Sequence, residues 1–150
     1  MNHIDIYDNL KPLVFKCFQN LFTQKYDEYK SIMPIGEFIR AFCYLNFNLP
    51  RQVGKTTFIA RFIRNILHIN PNYRFLVVSP KLMHADNLKY LFQNEDCVLP
   101  KENFILLGNL QRTLEENPEY DFVFFDECEP DIRMIPPKCS KTLFVSLTTK

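Results

Sequence analysis

The chain has 150 residues, 47% hydrophobic and 23% charged, the length and balance of one domain with a real core and not of a disordered segment. A formal net charge of +1 excludes a global electrostatic pull toward nucleic acid, so any such contact needs a local patch or a partner. Five cysteines with no C-x-x-C pair, three scattered histidines and no long apolar run argue against a disulfide framework, a zinc site and a membrane span, and fit reduced thiols in a cytosolic setting.

The first thirty-odd residues read as helix. Leu10, Val14, Cys17, Phe18, Leu21 and Phe22 recur at spacings of three and four and form one apolar stripe. Lys11, Lys16, Lys25 and Lys30 interleave with aromatics, as a solvated helix face does and as a DNA-facing patch could. A short helix is expected through Glu37–Phe42, after Pro34. Residues 1–42 are thus expected to form a helical segment packed on a core of residues 43–150. Cys43–Leu49 alternates Tyr44, Asn46 and Asn48 against Leu45, Phe47 and Leu49, a strand stopped by Pro50.

The loop Pro50–Lys55 comes next. Thr56 or Thr57 is expected to open a helix whose apolar residues Ile59, Phe62, Ile63, Ile66 and Leu67 share a face, ended by Asn70-Pro71-Asn72. Arg74–Val78 reads as a buried strand. Ser79 and Pro80 then read as the N-cap and first residue of a helix running to about Gln93. Asn103–Leu107 is a third strand, Asn109–Glu116 a short helix, Asp121–Phe125 a fourth strand and Thr142–Leu147 a fifth. Strands alternating with helices, and apolar runs such as FLVV and FVFF, predict a mainly parallel five-stranded sheet flanked by helices.

The chemistry is concentrated in two places. Gly54-Lys55-Thr56 ends like a phosphate-binding loop and sits between a strand and an amphipathic helix, where backbone N–H groups and the helix dipole face phosphate oxygens. Leu49 stands where the usual pattern has its first glycine. In such a loop Lys55 reaches the β- and γ-phosphates and the Thr56 hydroxyl binds Mg²⁺. The strand FVFF delivers Asp126 to its C-terminal edge as a Mg²⁺ partner, and Glu127 follows as the acceptor of a proton from the attacking water. The fifth strand ends Ser146-Leu147-Thr148-Thr149, a placement that can bring hydroxyls near the γ-phosphate.

Together these motifs resemble the ATPase half of the large terminase subunit, the DNA-packaging motor of tailed phages. That family's loop typically reads small residue, then Arg-Gln-x-Gly-Lys-[ST]. Here it is Arg51-Gln52-Val53-Gly54-Lys55-Thr56-Thr57, with Pro50 in the small-residue position. The family's second motif, an apolar strand ending Asp-Glu, is matched by Asp126-Glu127-Cys128, and its Thr-rich coupling motif by Ser146, Thr148 and Thr149. The resemblance implies a P-loop ATPase of the additional-strand type, using ATP and Mg²⁺. Residues 50–57 would hold the nucleotide, Arg51 would contact phosphates and join Lys55 and Glu127 in catalysis, and Thr56 and Asp126 would hold the metal. It further implies double-stranded DNA, portal or other motor subunits and a homo-oligomeric ring as partners, in the host cell cytoplasm.

Some features depart from the family. Gln19 and Gln24 are the only glutamines before the loop and lie far from it, so no glutamine-bearing adenine motif is found. The 150 residues hold no nuclease segment, so the expectation is an excised domain or a minimal ATPase that does not cut DNA by the family's route. Arg112 and Arg133 are the arginine-finger candidates, with surface salt bridges as the alternative. A helicase-like translocase, a nucleotide-binding module that does not hydrolyse and, more weakly, a small-molecule kinase are the competing readings.

Overall fold

The computed structural model describes residues 6–51 and 53–150. Three short helices lead the chain: α1 (Ile6–Asn20), α2 (Gln24–Ile32) and α3 (Ile35–Phe38). β1 (Tyr44–Leu49), α4 (Lys55–Ile69), β2 (Phe75–Ser79), α5 (Leu82–Asn94), β3 (Phe104–Leu106), α6 (Leu110–Glu116), β4 (Phe122–Asp126) and β5 (Leu143–Thr149) follow.

All five expected strands form, and every pairing is parallel, in the order β1-β5-β4-β2-β3. β5 lies between the strand that leads into the Pro50–Gly54 loop and the strand that ends in Asp126, and β2 is not adjacent to β1. That is the additional-strand arrangement. The three inner strands are buried along most of their length because both sheet faces are covered, and this is why their sequences are continuously apolar. β1 is an edge strand with Asn46 and Asn48 exposed, so its alternation reflects one covered face. Leu49 therefore ends a half-buried strand and not a fully buried one.

Register assigns the faces. Phe122, Phe124 and Asp126 share one face with Leu143, Val145, Leu147 and Thr149 of β5 and with Phe75 and Val77 of β2. α4 packs there: Phe62 meets Phe122 and Phe124 at ring-centroid distances of 5.1 and 5.4 Å. α1 joins it through Phe18, 4.3 Å from Phe122. The phenylalanine-rich composition thus becomes a contiguous aromatic layer centred on Phe122, which also stacks on Phe75 and Phe124.

Several local expectations shift. Phe22 lies beyond the end of α1 and is 51% exposed, with the Lys141 ammonium over its ring, so it leaves the buried stripe while Val14, Phe18 and Leu21 keep it. The helix expected through Phe42 becomes α3 followed by a π turn over Ile39–Cys43. Ser79 is the last residue of β2, pairs with Leu106 and is fully buried, so it is not the N-cap of α5. Lys81, extended at φ −142° and ψ 154°, precedes that helix without a side-chain cap. Lys11 and Lys25 lie over the rings of Tyr7 and Tyr29, and Lys30 donates to Ser140, engagements that favour the solvated-face reading of the N-terminal lysines.

Candidate functional site

α4 begins at Lys55, one residue earlier than expected, because Gly54 takes the left-handed conformation, φ +83°, that turns the loop into the helix. Phe58 N–H donates to the Gly54 carbonyl at 2.8 Å, the first bond of the helical ladder. The amides of Lys55, Thr56 and Thr57 precede that bond and have no helical acceptor, and Gly54 has no side chain to cap them. With no backbone acceptor among the described residues, these three N–H groups at a positive dipole end form an anion-binding geometry. Pro50 and Arg51 are exposed in the turn, Val53 is half-buried, and Gln52 lies outside the described residues.

Lys55 is buried, at 8% exposure. Its ammonium donates to the Pro50 carbonyl at 3.2 Å and lies 3.3 Å from Glu127 Oε1. The turn at Pro50 that lacks a glycine therefore keeps a carbonyl aimed back at the lysine. The Thr56 hydroxyl donates to Asp126 Oδ2 at 2.8 Å. Asp126 is 1% exposed at the end of β4, and among the described residues its Oδ1 has no hydrogen-bond partner. A bare buried carboxylate oxygen is costly unless a cation or donor meets it. With the Thr56 hydroxyl beside it, this all-oxygen donor set fits Mg²⁺, a hard cation that takes oxygen ligands.

Glu127 has φ +58°, a left-handed backbone in a residue with a side chain, at a cost of about 1–2 kcal/mol. In a continuing strand Glu127 would face away from Asp126. The left-handed turn breaks that alternation and brings its carboxylate to Lys55 and to the end of β5. There it accepts from the Thr149 hydroxyl at 2.6 Å and the Thr149 amide at 3.0 Å. Burial pushes the Glu127 carboxyl up, but the hydrogen bonds from Thr149 and Lys55 outweigh it and hold the group below the ordinary carboxylate range. At neutral pH it is charged and can accept a proton.

Thr149 thus joins the cluster directly. Thr148 and Ser146 do not. They face the other side of the sheet, where the Thr148 hydroxyl donates to Asn46 Oδ1 at 3.5 Å and Ser146 accepts from the Tyr44 hydroxyl at 3.0 Å. Asn46 in turn donates to Glu129. Arg133 is paired with Asp131 at 2.7 Å on the surface, and Arg112 donates to Asn109, so among the described residues both finger candidates are engaged locally.

His84 went unanticipated. From the first turn of α5 its Nε2 lies 3.1 Å from Asp126 Oδ2, a hydrogen bond that raises the imidazole pKa despite partial burial. The available signal was its position just past the end of a parallel strand, the edge where ligands of such sheets bind. Cys128 follows Glu127 as an inert thiol: burial, with Asp126 and Glu127 nearby, pushes it up to about 12.

Sheet order, loop and strand ends define an α/β domain of the phosphate-loop, additional-strand type. No family model and no curated protein matches the sequence. Among solved structures, the fold is similar to the crystal structure of the UvsW helicase from bacteriophage T4. The TM-score is 0.53 at 13% identity, over 84% of this chain and 60% of that one, so the chain spans about three-fifths of the helicase's length. At that identity the likeness is one of fold. Among the described residues no helix is long and apolar enough to cross a membrane.

Proposed function

We propose that this chain is the ATPase domain of a nucleic-acid motor, hydrolysing ATP with Mg²⁺. The observation that carries the reading is the convergence of Lys55, Thr56, Asp126 and Glu127 at one sheet edge, below three uncapped helix amides. Lys55 and the amides of residues 55–57 bind the phosphates, and Arg51, exposed at the rim, is free to reach them. Thr56 and Asp126 would hold Mg²⁺, which when bound neutralises charge on the transferred phosphoryl group. Glu127 orients water and takes its proton. Thr149 and Lys55 hold that carboxylate in place, and when Lys55 turns to phosphate, Thr149 remains as its anchor.

The finer reading is a packaging motor that translocates double-stranded viral DNA, with portal or other motor subunits and a ring of copies, in the host cytoplasm. Its support is the Arg51-Gln52-x-Gly54-Lys55-Thr56 form of the loop and the direct Thr149–Glu127 contact, which links the proposed coupling strand to the proposed catalytic base. The fold likeness to a phage helicase favours a second reading, a helicase-like translocase. A non-hydrolysing module is disfavoured by Glu127, whose strained backbone and three donors serve no purpose in a pure binder.

The test is Glu127→Gln. Binding of a fluorescent ATP analogue is expected to persist while turnover falls on the order of a hundredfold or more. Unchanged turnover would remove Glu127 from the role. Turnover and strand displacement, each measured with single- and double-stranded DNA, separate the motors: stimulation by duplex without strand separation supports packaging, and strand separation supports the helicase.

A further inference from the structure

We propose that His84 is a positioning residue for the magnesium site, its Nε2–H fixing Oδ2 of Asp126 so that Oδ1 stays bare toward the cation. The proposal rests on the nucleotide–metal reading above. Two donors, the Thr56 hydroxyl at 2.8 Å and His84 Nε2 at 3.1 Å, converge on one oxygen of a fully buried carboxylate, and among the described residues none reaches the other oxygen. An aspartate carboxylate turns readily about its last torsion, so an unsatisfied buried oxygen would rotate toward a donor unless its twin were held. The hold comes from two elements, α4 and α5, while the carboxylate is carried by a third, β4.

Thr56 is itself a ligand in the metal reading. His84 is thus the anchor that lies outside the ligand set among the described residues. It is half-buried and sits in the first turn of α5, a position set by the extended Lys81 linker that follows Ser79. Partners that hold a ligating carboxylate typically contribute 10–100-fold in metal affinity. Facing a carboxylate oxygen, Nε2 is the donor of this contact.

The experiment measures Mn²⁺ binding by electron paramagnetic resonance with the full chain and a non-hydrolysable ATP analogue, beside metal-free binding of a fluorescent analogue. His84→Leu removes the donor and is expected to weaken Mn²⁺ roughly tenfold or more while leaving metal-free nucleotide binding unchanged. His84→Gln restores an N–H donor and should recover most of the loss. His84→Ala, with no bulk to misplace, should match His84→Leu. Wild-type Mn²⁺ affinity in both the Leu and Ala variants, or a Gln variant no better than Leu, overturns the role of His84 alone. Wild-type protein that binds no nucleotide overturns the site reading and this proposal with it.

Discussion

Replacing Thr149 by Val isolates one contact of the site. Valine keeps the β-branched shape and the backbone amide that donates to Glu127 at 3.0 Å, and removes only the hydroxyl that donates at 2.6 Å. A bond of that length to a carboxylate is charge-assisted, and such bonds contribute about 1.5–3 kcal/mol. The Glu127 side chain is 33% exposed, so water replaces part of the loss, and the expected destabilisation is about 1 kcal/mol. Urea denaturation near neutral pH should show a lower midpoint with unchanged slope.

The effect has a definite pH dependence. Thr149 and Lys55 hold the Glu127 carboxyl below its ordinary range. Stability contributed by the charged form is therefore present above the unfolded-state value and is lost as pH falls through the lower folded-state value. The deficit of Thr149→Val should shrink toward about 0.5 kcal/mol as pH falls through the lowered folded-state value of Glu127, and to a similar figure in a Glu127→Gln background at neutral pH. A deficit independent of pH and of Glu127, or none at neutral pH, would refute the view that the hydroxyl works on the carboxylate.

Two further predictions concern the frame around the site. Gly54→Ala meets no steric obstacle, since a Cβ would lie 3.8 Å from Thr57 Cβ, so its cost is the left-handed backbone alone, about 1–2 kcal/mol by thermal or urea unfolding; nucleotide affinity should fall with it as the loop amides turn. Phe18→Ala removes the ring that joins α1 to Phe122 and should destabilise the fold by about 3–5 kcal/mol by urea unfolding.

The local geometry of the candidate site was legible because it is written in short contiguous runs. Glycine before Lys55 announces a left-handed turn into a helix. An apolar run ending at Asp126 announces a buried strand that delivers a carboxylate to an edge. Errors fell where a residue had two local uses and a distant partner chose between them. Ser79 can cap a helix or close a strand, and pairing with Leu106 decided for the strand. Phe22 fits the helical stripe by spacing, but in the turn after Asn20 the chain directs Leu21 into the core and leaves Phe22 51% exposed under the Lys141 ammonium. The three residues expected to couple were split, because alternate residues of β5 face opposite sides of the sheet and only Thr149 shares the side of Asp126.

What the sequence determined by itself was periodicity and punctuation: five parallel strands, the loop and the two carboxylates, since each depends on neighbours within a few residues. The tertiary structure decided what depends on strands far apart in the chain. It set β5 between β1 and β4, which carries Thr149 to Glu127 across 22 positions. It laid α5 so that His84 meets Asp126 across 42. Parallel crossovers of similar length allow many strand orders, and only burial of both sheet faces together selects among them.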